Sequence, residues 1–239
     1  MGRPLWQVGL VLLAGAGLFA LFLGLGLWQV ERLSWKRDLI ARVDARVHAA
    51  PIPWAEAARM PPDLAEYRHV TLTGRFDHTR ETLVQALTEL GGGFWVLTPL
   101  ETADGAVLVN RGFVPPGYRD PARRAPGQIA GEVTLTGLLR LSEPGGGFLR
   151  RNDPEGGRWF SRDTAAIAKA RGISAAPCFM DADARPNPGG WPLGGLTVIA
   201  FRNTHLSYAL TWFILAAMMA GGMVILIRHE LRTRRAASG

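Results

Sequence analysis

The stretch NTHLSYALTWFILAAMMAGGMVILI, residues 203–227, decides the architecture of this chain. From Leu206 to Ile227 it holds no charged side chain. A run of this length is enough for a helix to cross a hydrocarbon core of about 30 Å. His205 and Tyr208 lie at its start, and polar side chains at membrane depth are costly and usually functional. The sequence therefore predicts a transmembrane helix over residues 204–227 whose first turn carries a function.

A second uncharged segment lies near the amino terminus. Twelve of the twenty residues from Val8 to Leu27 are Leu, Val or Phe, which predicts a transmembrane helix over residues 8–30. The run WQVER that follows is a poor cleavage site, so we expect a retained anchor instead of a signal peptide. Apolar residues then recur at helical spacing among charges, which predicts that the helix continues as an amphipathic stalk over residues 31–50.

Ala16, Ala20 and Gly24 occur at four-residue intervals in the first segment. Small residues at this spacing let two membrane helices approach closely. One hypothesis is that this stripe faces the second segment. The other is that small residues are simply common in membrane helices.

Charges at the segment ends predict the orientation. Four arginines follow the second segment within eight residues: Arg228, Arg232, Arg234 and Arg235. Basic flanks mark the cytoplasmic side, so residues 1–7 and the basic tail, residues 228–239, are expected in the cytoplasm. The basic residues after the first segment favour the opposite orientation, but they flank a long loop, where charge counts less. The domain between the segments is therefore expected outside the cytoplasm.

Residues 51–203 predict a β-rich domain. Val70, Leu72 and Phe76 alternate with polar residues, which is typical of a half-buried strand. Asp104-Gly105 is a strong hairpin signal. Asp163 can cap a helix that stops at Gly172. The other predicted features are strands at Thr82–Leu87, Phe94–Leu100, Ala106–Val114, Val133–Leu141, Cys178–Met180 and Thr197–Phe201, a turn at Gly91–Gly93, and an irregular loop at Arg185–Gly195.

Composition excludes several functions. The net charge of +7 comes largely from the ends of the chain, and residues 31–203 hold 22 basic against 19 acidic side chains. Such a balanced domain gives no support for nucleic-acid binding. The chain has one cysteine, Cys178, which rules out an intrachain disulfide and lies in an apolar run that predicts a buried core residue. No nucleophile motif or chelating pair of histidines points to an enzyme.

One face of the second segment has the character of a ligand site. His205, Ala209, Trp212 and Ala216 share that face, and the alanines leave room for a flat apolar ligand. A neutral imidazole is a good axial ligand for haem iron, and Tyr208 lies beside this face. The competing hypothesis is that His205 and Tyr208 only reach the lipid headgroups. A weaker third hypothesis is copper delivery through the methionines of the same segment.

Several blocks of the sequence resemble one known family. GLWQVERLSWK is similar to the Gly-x-Trp-Gln-x-x-Arg signature of the surfeit locus protein 1 family, whose members assist the assembly of cytochrome c oxidase. Further blocks follow in the family's order, over roughly residues 24–217: YRHVTLTGRF, FWVLTPL, VLVNRGFVP, RNDPEGGRWFSRD and NTHLSYALTWFILA. One departure is Thr204, where the family often has a second asparagine. It weakens any role for position 204 but not for His205.

The resemblance implies an integral membrane α+β protein. Two transmembrane helices would flank a β-rich, antiparallel or barrel-like periplasmic domain with one or two short helices. It implies a two-pass protein of the bacterial inner membrane, in contact with membrane lipid, and an assembly factor for haem-copper oxidase instead of an enzyme. Bound haem a would be held transiently and placed in the oxidase's catalytic subunit, with a haem a synthase as a second partner.

The resemblance also implies a site. His205 would be the axial ligand of the haem iron. The other expected cofactor-binding residues are Trp28, Gln29, Arg32, Tyr208 and Trp212. Arg111-Gly112 falls in a middle block of the family, without an assigned role. The alternative is a structural chaperone that holds an oxidase subunit and carries no cofactor.

Overall fold

The structure is a computed structural model that describes residues 4–147, 149–199, 201 and 203–237. The chain divides into two compact units. A helical unit comprises Met1–Arg42 and Ala200–Gly239, and a β-rich unit comprises Val43–Ile199. This division agrees with the predicted fold class of two long helices at the ends of the chain and a β-rich domain between them.

The helical unit consists of most of one long helix and the whole of another. Helix α1 runs from Leu5 to Val47 without a break, and helix α5 runs from His205 to Ala237. Both are long and apolar enough to cross a membrane. With 43 residues, α1 is about 65 Å long, so it covers the predicted span and most of the predicted stalk. It ends before Pro51, as expected of a residue that cannot continue a helix.

The face of α1 that packs in this unit differs from the predicted one. Ala16, Ala20 and Gly24 are exposed, and no atom lies within 4 Å of a Cβ built on Gly24. Gly15 and Gly26 are buried instead. The hypothesis that the four-residue stripe faces the second helix is therefore wrong. The reason is geometric, because four residues turn an α-helix by about 400°, so such a stripe drifts around the axis.

The β-rich unit is a closed barrel with two extra strands. The strands of its main sheet are β1 Ile52–Pro53, β2 His69–Phe76, β3 Thr82–Thr88, β4 Gly91–Thr102, β5 Gly105–Val114, β6 Glu132–Leu141 and β9 Ala175–Ala182. These seven strands pair in the order β1-β2-β6-β9-β5-β4-β3, and β2 also pairs with β4. The pairing of Phe76 with Leu100 closes the ring β2-β6-β9-β5-β4.

Shorter elements complete this unit. Helices α2 and α3 lie between β1 and β2, a two-stranded ribbon of β7 and β8 follows β6, and α4 precedes β9. Their bounds are α2 Trp54–Ala57, α3 Pro62–Ala65, β7 Gly146–Gly147, β8 Arg150–Arg151 and α4 Thr164–Arg171. Helix α4 begins and ends as predicted, because the Asp163 side chain accepts from Ala166 N and Gly172 adopts a left-handed conformation.

Alternation along the strands separates two hydrophobic clusters. Val107, Val109 and Met180 belong to a cluster with side chains from all five barrel strands, which is the barrel interior. Leu108 and Phe179, one residue away, pack outside the barrel with α4 and the buried Trp159. Side chains of a strand point alternately to opposite faces, so β5 and β9 serve both clusters. Cys178 is buried in the interior cluster, as predicted.

Several local predictions need correction. Gly91–Gly93 is the start of β4 and not a turn, and a Cβ on Gly93 would collide with the backbone of Val114 on the neighbouring strand. Residues 197–199 and 201 form no strand, because no strand edge pairs with them among the described residues. The sheet is mixed, since β1 pairs with β2, and β5 with β9, in parallel.

Candidate functional site

Two of the predicted site residues meet in the helical unit. His205 is the first residue of α5, and its Nδ1 lies 2.7 Å from the side-chain oxygen of Gln29 on α1. Gln29 is only 9% exposed and His205 is half-buried. The bond joins residues that are 176 positions apart in the sequence and fixes the ring of His205 against α1.

The bond determines which ring nitrogen of His205 is available. The Gln29 oxygen is an acceptor only, so Nδ1 must carry a proton and donate it. In a neutral imidazole the other nitrogen, Nε2, then has a free lone pair. Histidines that ligate metals usually donate their second nitrogen to such an acceptor. The pair therefore has the donor arrangement of a single-histidine metal or haem ligand.

Trp212 lies on the same face of α5, two turns after His205. Its ring stacks on Phe22 of α1 with centroids 5.8 Å apart and planes 25° apart. Ala209 and Ala216, on either side of Trp212, are 2% and 3% exposed. The space that these alanines were expected to leave for a ligand is therefore largely occupied by packing between the helices.

Two glycines of α1 admit large side chains of α5. A Cβ on Gly26 would lie 2.5 Å from the ring of Phe213, and one on Gly15 would lie 3.0 Å from the sulfur of Met223. The methionine sulfur is thus a packing group against α1. The close approach of the two helices depends on these glycines, which the repeat of four did not indicate. Gly15, Phe22, Gly26 and Gln29 are seven, four and three residues apart, and such intervals, which keep residues on one face of a helix, are the signal that identifies the two glycines.

The other predicted residues lie apart from His205 and Gln29. Trp28 is 53% exposed and Tyr208 is 55% exposed. Arg32 is exposed, with its guanidinium 4.1 Å from the ring centroid of Trp35. In this arrangement the predicted set separates into an inner group, Gln29, His205 and Trp212, and an outer group, Trp28, Arg32 and Tyr208.

A further polar group lies just before His205. The side-chain oxygen of Asn203 is buried and accepts no hydrogen bond from any described residue. A buried acceptor without a donor is costly, so the start of α5 retains unused hydrogen-bonding capacity two residues from the candidate ligand. Thr204, where the family pattern often has asparagine, is exposed.

The comparisons with known proteins agree on one family. A family model described as the SURF1 family matches residues 16–217. The chain is 42% identical over 212 residues to Surfeit locus protein 1 of Homo sapiens, which covers 81% of this chain and 70% of the human protein. It is 41% identical over 211 residues to the Mus musculus protein, covering 81% and 68%.

A SURF1-like protein of Monosiga brevicollis is 40% identical over 221 residues, which is 86% of this chain and 83% of that protein. The family model spans the whole barrel and most of α1, and it reaches into the first turns of α5. The chain therefore belongs to the SURF1 family.

Proposed function

We propose that this protein is an assembly factor for haem-copper cytochrome c oxidase. In this proposal His205 binds haem a as the axial ligand, and the protein helps to insert the haem into the oxidase's catalytic subunit. A haem a synthase is the partner that would supply it. Membership of the SURF1 family supports the assembly role. The hydrogen bond between His205 Nδ1 and Gln29 supports the haem-binding part of the proposal, because it leaves the lone pair of Nε2 free to bind iron.

The residues present fit a haem ligand. An axial ligand is an imidazole with one free ring nitrogen, and the Gln29 acceptor directs a proton to Nδ1, so that Nε2 is the nitrogen left for a ligand in the neutral ring. Bound haem would supply an iron atom that accepts the Nε2 lone pair. The polypeptide's part is to orient the ring, through the Gln29 bond on one side and the packing of α5 on α1 below it.

The packing of α5 on α1 in the turns after His205 limits where a haem bound to His205 can lie. Trp212 on Phe22 and the buried Ala209 fill the face of α5 that was expected to hold it. Aromatic stacking of this kind adds stability beyond the area it buries. A haem lying between the two helices therefore requires the stack to open, whereas a haem at the partly exposed edge of His205 does not.

We also propose a two-pass arrangement in a bacterial inner membrane. The two long apolar helices support the two passes. The arginines that follow the apolar part of α5 favour a cytoplasmic tail, which puts both termini in the cytoplasm and the barrel in the periplasm. A binding role, instead of catalysis, is proposed for the whole protein.

The test is the absorbance of protein co-expressed with haem a synthesis and purified in detergent. The wild-type protein should carry a haem spectrum, and His205→Ala should abolish it. His48→Ala is the matched control, because the His48 side chain is 73% exposed in the β-rich unit, and its spectrum should equal that of wild type. An unchanged spectrum in His205→Ala would refute the ligand assignment.

A structural chaperone without a cofactor is the second candidate. The filled space between α1 and α5 favours it, because a helix pair packed this closely needs no ligand to be complete. Under this hypothesis the exposed Trp28 and Tyr208 contact an oxidase subunit. It predicts colourless protein that still co-purifies with that subunit, so the same preparation separates the two functions.

A further inference from the structure

A cavity opens at one end of the barrel. Its volume is about 460 Å³, within the range of small-molecule sites in proteins. Phe76 of β2, Val109 of β5, and Val133 and Leu135 of β6 line it, and all four belong to or pack against the interior cluster. The cavity is thus an outward continuation of the barrel core, and the mouths of barrels are common ligand sites.

The loop that follows β9 forms the opposite wall of this cavity. Pro186, Asn187 and Pro188 line it. The loop is fastened to β5, because Leu193 and Phe113 exchange two backbone hydrogen bonds of 2.9 Å. Gly112 makes this possible, since it has φ +129° and a Cβ there would collide with the Leu193 carbonyl. The cavity wall is therefore built into the fold.

Arg111 is the most buried of the charged side chains that line this cavity. It is 2% exposed and lines the cavity wall. One terminal nitrogen, Nη2, donates to the Gly127 carbonyl and, over 3.3 Å, to the side-chain oxygen of Asn187. The guanidinium carbon lies 4.7 Å from the ring centroid of Phe76. The other nitrogen, Nη1, is buried and has no hydrogen-bond partner among the described residues.

No described carboxylate neutralises Arg111. None lies within 4.0 Å of its guanidinium, and the neighbouring Glu81 is held by both terminal nitrogens of Arg124. Burial lowers the pKa of Arg111 to about 10, which still leaves the group charged at neutral pH. A buried charge is normally paired. An arginine with an unused buried donor at the wall of a cavity is therefore suited to hold an anion there.

The surroundings limit the kind of anion. The walls are mainly apolar, which favours a ligand with an apolar body. The rim also bears Glu132, Asp183 and Arg185, and Asp183 is already bound to His69 Nε2 at 2.7 Å. The two arginines of the lining, Arg111 and Arg185, balance its two carboxylates, so the cavity suits a single negative charge better than a dianion such as phosphate.

We propose that the barrel mouth binds a small amphipathic carboxylate, with its carboxylate beside the guanidinium of Arg111 and its apolar body against Phe76, Val109, Val133 and Leu135. This site lies wholly within the β-rich unit and does not depend on the haem function of His205. Its ligand completes the hydrogen bonding of a guanidinium that the protein itself leaves unfinished.

The test compares two probes on the full chain in a non-ionic detergent. 4-Phenylbutyrate and its neutral isostere 4-phenylbutyramide are titrated by isothermal calorimetry, with saturation-transfer NMR to confirm contact. Wild-type protein should bind the carboxylate at least about tenfold more tightly, because the carboxylate forms an ion pair with Arg111 whereas the amide offers only a neutral acceptor. Equal binding of both probes, or saturable binding of neither, overturns the proposal.

Variants then locate the site. Arg111→Gln should reduce the preference for the carboxylate to about one. Val133→Phe should fill the cavity and abolish binding of both probes while Arg111 stays in place, which keeps the test decisive if Arg111→Gln does not fold. Arg150→Gln, which removes an exposed arginine bonded to Gln85, is the control and should bind as wild type does. Wild-type binding by a folded Val133→Phe would overturn the assignment.

Discussion

Replacing Gln29 with leucine tests the chemistry of the candidate site directly. Leucine has a similar volume and suits the buried environment of Gln29, which is 9% exposed, but it removes the acceptor 2.7 Å from His205 Nδ1. Losing an outer partner of a metal-ligating histidine costs about 10–100-fold in affinity. Since each tenfold is about 1.4 kcal/mol, haem binding should weaken by about 1.4–2.8 kcal/mol.

The assay is a haem titration of protein purified without haem, followed by its absorbance. Gln29→Glu is the informative companion, because a carboxylate keeps an acceptor for Nδ1 and polarises the imidazole more strongly than an amide does. It should bind haem at least as tightly as wild type. Gln7→Leu changes an exposed glutamine on the same helix and should leave the Kd unchanged.

Two results would count against this argument. A Gln29→Leu protein with the wild-type Kd would show that the bond does not prepare His205 for ligation. A Gln29→Glu protein as weak as Gln29→Leu would show that the loss comes from altered packing instead of from a missing acceptor. Thermal melting of each variant separates a weaker site from an unfolded protein.

Substitutions elsewhere should have separable effects. Gly26→Leu should disrupt the packing of α1 on α5 and lower the haem content of the protein, because a Cβ at Gly26 would already lie 2.5 Å from the Phe213 ring. Gly24→Leu is the control, since no atom lies within 4 Å of a Cβ at Gly24. Equal haem content in both proteins would contradict this prediction. Asp181 bonds two largely buried arginines, and breaking such a pair costs about 3–5 kcal/mol. Asp181→Asn should therefore lower the melting temperature of the β-rich unit by about 6–20 °C, measured by tryptophan fluorescence, and an unchanged melting temperature would refute the estimate. Burial lowers the pKa of His78 below its ordinary value of 6.5 in the folded protein. As the pH falls below 6.5, the unfolded chain therefore binds a proton before the native state does, and the native state loses stability. His78→Gln should reduce this slope in melts between pH 7.5 and 5, and equal slopes for both proteins would exclude a role for His78.

Local sequence signals predicted the β-rich unit well where they concerned single elements. The alternation in β2, the Asp104-Gly105 hairpin and the Asp163 cap each act over a few residues, and each appears in the structure. Barrel closure, through Phe76 and Leu100, was not predictable in the same way. Strand order and parallel pairing depend on contacts between distant segments, and alternation carries no information about which edges meet.

The helical unit shows a different limit. Hydropathy predicted both long helices because burial in lipid requires only composition and length. The contact face was predicted wrongly, since a repeat of four was preferred to the alternating three and four of Phe22, Gly26 and Gln29. Only the alternating pattern stays on one side of a helix with 3.6 residues per turn. The predicted role of Gln29 came from the family motif, whereas its bond to His205 required the structure.

The choice of glutamine as the partner of His205 fits a protein that must release its ligand. A carboxylate partner makes a histidine a stronger donor to metal and is common in permanent sites. The amide of Gln29 is a neutral acceptor, so it orients the imidazole and fixes the donor nitrogen with less electronic enhancement. Under the proposed function, this weaker electronic effect lets His205 hold haem long enough to place it in the oxidase subunit and then release it. It follows that Gln29→Glu should bind haem more tightly and yet transfer it more slowly to the oxidase subunit, and faster transfer by that variant would contradict this view of the site.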